Sequence, residues 1–285
     1  YGTGEVRFEA PQITPESTAA KPSEIYKPGA TLDRTLEYGG KTVPIYRDRP
    51  LNVFSDVDFI WTGEENENQR RLEYLGGEFR TRYGIDVSSF QGEIDWDAVA
   101  DDNIDFAMVR VGFRGTGTGS LNTDKYYEQN IRGAMRAGLE TGVYFFAQAV
   151  TVEEAIEEAD YVISLLDGLD INGPVAYDWE MHDSTYRVYG TSPEMATACA
   201  VAFCQRIKDA GYTPMVYGGT YVTYMKYDQG ALADYLSWYP EYKSEKSEKL
   251  CPTLVYHMDY WQFSSSRAVA GINGRVDMNI QFIRR

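Results

Sequence analysis

Two carboxylates two residues apart, Asp178 and Glu180, close the stretch Gly173-Pro174-Val175-Ala176-Tyr177-Asp178-Trp179-Glu180. An apolar run that starts at a Gly-Pro breaker reads as a buried strand. Side chains alternate faces along a strand, so Asp178 and Glu180 share one face and Trp179 takes the other. Like charges side by side raise at least one pKa, which places a carboxylic acid and a carboxylate together at neutral pH. That pairing suits general acid catalysis beside an anionic partner. The competing reading is a strand end that fans into solvent with two ordinary surface acids. The rest of the chain decides between them.

From Tyr83 onward the sequence alternates strand and helix patterns. Gly84–Ser88 reads as a first strand, and Asp95 as the cap of a short helix through Ala100. Phe106–Gly112 follows as a strand, with a Gly/Thr-rich loop from Gly115 to Gly119. That loop lacks the Gly-Lys-Ser/Thr ending of a phosphate cradle and reads as a rim loop. Asp124 is expected to cap a helix closed by Gly138, and Val143–Ala147 is a third strand. Thr151-Val152-Glu153-Glu154 is a capping box that opens the next helix. The Asp178/Glu180 strand is the fourth. A helix opened by Ser192-Pro193 runs to Gly211 and leads into a fifth strand, Pro214–Gly218. Leu236–Tyr239, Tyr260–Phe263 and Val276–Ile280 then read as three strands with little helix between them.

Eight strands, the first five followed by helices, predict an α/β fold, a flattened TIM-like barrel of (β/α)5(β)3 type. Residues 83–285 would form this barrel. Residues 1–82 would form an N-terminal arm, with a linker-like Pro11–Ala30 segment, a small Gly39-Gly40 hairpin and a polar loop over Glu64–Gln69. Pro44 confines the second hairpin strand to an edge. In such barrels chemistry sits at the carboxyl ends of the strands. Asp86, Tyr144, Asp178, Glu180, Tyr217, Trp238, Gln262 and Asp277 all fall at or near such ends. Each aromatic alone could be barrel-mouth packing. Acids and aromatics converging from separate strands favour a site.

The net charge of −16 excludes a nucleic-acid binder, which needs a basic footprint. No apolar run approaches the roughly 18 residues of a membrane span. Tyr1 opens the chain without a signal-peptide pattern, so any signal or anchor is expected to be absent from it, and a secreted or cell-surface protein is the expectation. The chain is expected to be monomeric and to use no cofactor. Three cysteines do not make a disulfide framework. Cys199 and Cys204 fall five residues apart on one helix, beyond bridging distance, and reduced thiols are expected. With two histidines and no Cys-x-x-Cys, zinc is disfavoured, although His182 lies two residues past Glu180.

With these motifs in hand, residues 83–285 resemble glycoside hydrolase family 25, the Chalaropsis-type lysozymes (N-acetylmuramidases). The likeness rests on Gly84-Ile85-Asp86-Val87-Ser88 with Gln91-Gly92, Phe106–Arg110 with Gly112, and Gly142-Val143-Tyr144. It continues through Asp178-Trp179-Glu180, Trp261-Gln262-Phe263, and Gly271-Ile272 with Val276–Asn279. Asp-x-Glu alone is a weak signal; in this company it is specific. The resemblance implies a peptidoglycan hydrolase cutting the β-1,4 bond between N-acetylmuramic acid and N-acetylglucosamine, with Glu180 as general acid and Asp178 as its partner. Related sugar-cleaving barrels let the substrate's 2-acetamido group attack, with a carboxylate stabilising the oxazolinium. Two acids at i and i+2 of one strand approach the sugar from one side, which suits that scheme. Asp86 and Asp277 would close a ring of acids, and Tyr144, Tyr217, Trp238 and Gln262 would contact the sugar.

The likeness is loosest at Leu236-Ser237-Trp238-Tyr239, which blurs the register of Trp238, and Phe145-Phe146 is apolar for a sugar's neighbourhood. A chitinase-like or N-acetylglucosaminidase barrel is the alternative enzyme. The family 18 signature needs aspartates two and five residues before Asp178, where this chain has Ala176 and Gly173. A non-catalytic cell-wall-binding protein is the alternative from another class, and it gives no reason to keep four acids.

Overall fold

The computed structural model describes residues 20–63 and 69–285, so residues 11–19 of the expected linker and 64–68 of the polar loop lie outside the described residues. The N-terminal part opens with a one-turn helix, α1 (Pro22–Ile25). Strands β1 (Leu32–Tyr38) and β2 (Lys41–Tyr46) follow as an antiparallel hairpin, with Tyr38 opposite Lys41. Its turn residues Gly39 and Gly40 both have positive φ, +57° and +74°, the backbone a tight two-residue hairpin demands. A second antiparallel pair, β3 (Phe59–Thr62) and β4 (Arg71–Tyr74), has no counterpart in the sequence reading. β3 is a four-residue run, Phe-Ile-Trp-Thr, with no alternation, and Arg71 and Glu73 break up β4, so neither shows the period-two pattern of a strand.

The remaining strands are β5 (Phe79–Val87), β6 (Phe106–Arg114), β7 (Leu121–Thr123), β8 (Glu140–Ala147) and β9 (Val175–Trp179). They continue as β10 (Pro214–Tyr217), β11 (Leu236–Pro240), β12 (Tyr260–Arg267) and β13 (Val276–Arg284). Helices α2 (Trp96–Asp101), α3 (Tyr127–Arg136), α4 (Val152–Leu165), α5 (Pro193–Asp209) and α6 (Thr220–Met225) fall between consecutive strands up to β11. Strands β5, β6, β8, β9, β10, β11 and β12 pair in parallel succession. β13 then runs antiparallel between β12 and β5 and closes the ring. The result is a mixed α/β fold around an eight-stranded closed sheet, with β7 appended antiparallel to β6.

All eight expected barrel strands are present. β5 begins five residues earlier than its sequence pattern, because β13 is long enough to pair Arg284 with Phe79. Local chemistry accounts for the helix starts. Asp95, Thr151 and Ser192 each accept an N–H from the first turn of α2, α4 and α5, and Pro193 occupies the first turn of α5. Cys199 and Cys204 are free and buried in α5.

The strands bury both faces. Outward residues such as Val109, Tyr177, Trp179 and Phe263 join Ala155, Ala159, Val162 and Phe203 of α4 and α5 in one apolar layer. Inward residues Phe106, Met108, Ala176, Met215 and Tyr260 plug the barrel's interior. Gly84 and Gly142 make room for that plug. A Cβ at Gly84 would stand 2.3 Å from the Phe106 ring, and one at Gly142 would stand 2.6 Å from Met108 Sδ. Each fully buried large side chain is worth roughly 1.5–3 kcal/mol, so this floor is rigid. Above it, at the carboxyl ends of the parallel strands and the amino end of β13, the lining turns acidic.

Candidate active site

The pleat sorts the β9 residues as their spacing dictates. Trp179 turns outward, fully buried, and donates from Nε1 to the Ala149 carbonyl at 3.1 Å. Asp178 and Glu180 turn into a cleft of about 300 Å³ at the barrel mouth. Asp86, Tyr144, Tyr217, Trp238, Gln262 and Asp277 line the same cleft, so all eight residues singled out in the sequence converge there. Register explains the convergence. Asp178 sits beside Tyr217, Tyr217 beside Trp238, and Asp86 opposite Asp277.

One hydrogen-bonded chain crosses the mouth. The Gln262 carboxamide oxygen accepts from the phenols of Tyr217 and Tyr242, both at 3.1 Å. Its nitrogen donates to Asp86 Oδ2 at 2.8 Å and Asp277 Oδ2 at 3.3 Å. Asn279 gives Asp86 a second N–H at 2.8 Å, and its own oxygen accepts from Trp238 Nε1 at 2.8 Å. Trp238 is 2% exposed and meets Tyr144 and Tyr217 edge-on, with its register fixed and its indole held by Asn279.

Burial dominates the electrostatics. It pushes Asp178 well above the ordinary carboxylate range, and the negative charge of Glu180 and a hydrogen bond between the two carboxyls add to the rise. Burial likewise lifts Asp86 to about 6, with the Asn279 and Gln262 amides pulling the other way. Asp277 rises to about 8 through burial and the charge of Asp86. Desolvation holds the Tyr144 and Tyr217 phenols protonated as neutral donors. Asp178 Oδ1 is buried with no hydrogen-bond partner among the described residues. The cleft therefore favours protons on three buried carboxyls, Asp86, Asp178 and Asp277, with the more exposed Glu180 beside them. It can deliver one to a bound substrate while keeping negative charge nearby.

Sequence reasoning missed several lining residues. Arg110 reaches the cleft from β6, stacks 5.1 Å from the Phe90 ring and pairs with Asp124 at 2.8 Å. Asp124 therefore does not cap α3, whose first residue is Tyr127. Its Oδ2 serves Arg110 and the Ser89 N–H, while Oδ1 accepts from the Tyr126 N–H just ahead of the helix. An Asp three residues before an apolar-periodic run gives the same local signal in both roles, and only the barrel brings Arg110 beside it. His182 lies 2.9 Å from Glu180, through Nε2 to Oε2. Its place two residues past Glu180 was the available signal, read there only in terms of metal binding. Tyr242 had no signal, because it follows the end of β11 in an irregular segment.

A larger cavity, about 420 Å³, lies between the β1–β2 hairpin and α5. Two carboxylates line it, Glu194 and Asp228, and Asp228 is already occupied by the backbone N–H groups of Gly29, Gly230 and Ala231. The acid pair, and with it the means of proton transfer, is in the smaller cleft.

A closed α/β barrel with acids gathered at the carboxyl ends of its parallel strands, joined by Asp277 from the amino end of the antiparallel β13 rather than the carboxyl end the sequence pattern predicts, defines the architectural class. Within it, the family model described as glycosyl hydrolases family 25 matches residues 85–272, and the chain belongs to that family. The autolytic lysozyme of Clostridium acetobutylicum is 26% identical over 197 residues, 69% of this chain and 54% of that protein. The chain thus matches about half the length of that relative. Lysozyme M1 of Streptomyces globisporus is 27% identical over 201 residues, 69% of this chain and 66% of that protein. Among solved structures, the bacterial lysozyme from Streptomyces coelicolor superposes with a TM-score of 0.56 at 25% identity, covering 70% of this chain and 90% of that one.

Proposed function

We propose that this chain is a lysozyme that hydrolyses peptidoglycan at the β-1,4 bond between N-acetylmuramic acid and N-acetylglucosamine. Its scaffold would be a (β/α)5(β)3 barrel over residues 83–285, with residues 1–82 as an accessory arm, acting outside the cell or at its surface. The carrying observation is the unequal burial of the two acids on one strand end. Asp178 is 5% exposed at the cleft floor, whereas the Glu180 side chain is 26% exposed toward the opening.

Glu180 is the member that reaches the glycosidic oxygen. The hydrogen bond between the carboxyls gives the proton held on Asp178 a path to Glu180 and from there to the leaving oxygen. The bond from the anomeric carbon to that oxygen breaks as the oxygen takes the proton. The substrate's acetamido oxygen closes on the anomeric carbon, and Asp178, now a carboxylate, faces the oxazolinium charge. Water then opens the ring, returning a proton to the pair. Asp86 and Asp277 hold sugar hydroxyls together with Gln262, while Tyr144, Tyr217 and Trp238 shape the wall.

Clearing of a bacterial cell-wall suspension by the native chain and by Glu180→Gln tests the reading. Loss of a general acid costs about 10²- to 10⁴-fold, so the variant should leave the suspension turbid. Equal clearing overturns the assignment. Muramic acid at the new reducing ends supports the bond named, and glucosamine there overturns it.

A further inference from the structure

The main-chain ladder between β8 and β9 ends at the pair Ala147–Trp179, one residue short of Glu180. Beyond it, side chains hold the two segments together. Gln148, fully buried, donates from Nε2 to the Glu180 carbonyl at 2.8 Å. In the opposite direction, Trp179 Nε1 donates to the Ala149 carbonyl. The Gln148 carboxamide oxygen has no partner among the described residues, so the donor end is the one the structure uses. Turning the amide over would set oxygen against oxygen.

Gln148 is itself held at both main-chain atoms. Its N–H donates to Glu158 Oε1 at 3.0 Å, and its carbonyl accepts from Arg187 Nη1 at 3.0 Å. Glu158, fully buried on α4, is fixed by Arg114 Nε at 2.7 Å. Arg187, from the segment that follows Glu180, is clamped by both oxygens of Glu154 at 2.7 and 2.9 Å. The carbonyl of the proposed acid thus hangs from a scaffold, buried at Gln148, Glu158 and Arg114 and half-buried at Arg187 and Glu154, that none of the cleft-lining residues belongs to.

We propose that Gln148 is a positioning residue for Glu180, replacing the missing ladder hydrogen bond and aiming the carboxyl from behind. The inference rests on Glu180 being the acid. Misplacing a reacting group by about 1 Å costs on the order of 100-fold in rate, whereas ground-state sugar contacts made elsewhere are untouched.

The test measures kcat, KM and thermal midpoint for the native chain, Glu180→Gln, Gln148→Met and Gln148→Glu on soluble peptidoglycan fragments. Gln148→Met keeps the length and removes the donor, so kcat should fall roughly 10- to 100-fold with KM within about twofold. Gln148→Glu should recover toward acidic pH, where its protonated carboxyl donates again, and lose activity as it ionises against the carbonyl. A native kcat in Gln148→Met, or a loss confined to KM, overturns the proposal. If Gln148→Met does not fold, Gln148→Glu decides, and a pH profile of native shape overturns it. An active Glu180→Gln would instead overturn the acid assignment, a separate failure.

Discussion

Asp86 and Asp277 stand opposite each other across the antiparallel β5–β13 pair, and one Gln262 amide nitrogen reaches both, at 2.8 and 3.3 Å. Two acids this close share protons rather than ionise independently. Asn279 and Gln262 both donate to Asp86, which leaves Asp277 the more strongly lifted, about 8 against about 6.

That arrangement sets a stability slope with pH. Raised pKa values mean that the folded state binds more protons than the unfolded chain between about pH 4 and pH 8. The contribution is fully present at or below the unfolded value and is lost as pH rises through 6 and then 8. Asp277→Asn keeps the shape without the ionisation. It should gain about 1–2 kcal/mol over the native chain at high pH, roughly 2–4 °C in midpoint per kcal/mol. At or below about pH 4, where Asp277 is protonated in both the folded and the unfolded chain, the two should melt together. Thermal melts across this range check it, and parallel curves at every pH would defeat the idea.

Much of this site was readable from sequence because it rests on period-two alternation. Once Val175–Trp179 is a strand, Asp178 and Glu180 must share a face, and the strand-end positions of Asp86, Tyr217, Gln262 and Asp277 follow from the same pleat. The contributions from loops and helices did not follow. Gln148 lies one residue past β8, and its partner Glu158 looks like any polar residue of an amphipathic helix. Glu158 is instead fully buried beneath Arg114, a pairing across 44 residues that no local pattern encodes. The strands β3 and β4 were invisible for a related reason: their burial comes from the barrel wall they cover, not from their own alternation.

The Arg114–Glu158 pair yields the second prediction. Arg114 is 4% exposed and also contacts Glu157 at 2.7 Å. Arg114→Met strands a buried carboxyl and should cost about 3–5 kcal/mol. Glu158→Gln retains an acceptor for the Gln148 N–H and should cost only about 1–2 kcal/mol. Burial lifts Glu158 to about 7, so at pH 5 it is neutral and tolerates the loss of its partner better. Denaturant unfolding at pH 5 and pH 8 should show the larger Arg114→Met deficit at pH 8. Equal deficits would mean that the guanidinium acts by packing rather than charge.

The third prediction concerns the whole molecule. A net charge of −16 repels a polyanionic wall, and repulsion acting beyond a Debye length of about 10 Å at 0.1 M salt is screened as salt rises. Clearing of intact walls should therefore quicken from low to moderate ionic strength, and also toward acidic pH as surface carboxylates protonate. Cleavage of short neutral fragments, which feel little of that field, should stay flat over the same salt range. Because the proposed catalytic acids are buried or half-buried, salt reaches the encounter more than the chemistry, so the effect should appear in kcat/KM rather than in kcat. Measuring both substrates in one salt series separates the two cases. A wall-clearing rate indifferent to salt would show that the surface charge plays no part in approach.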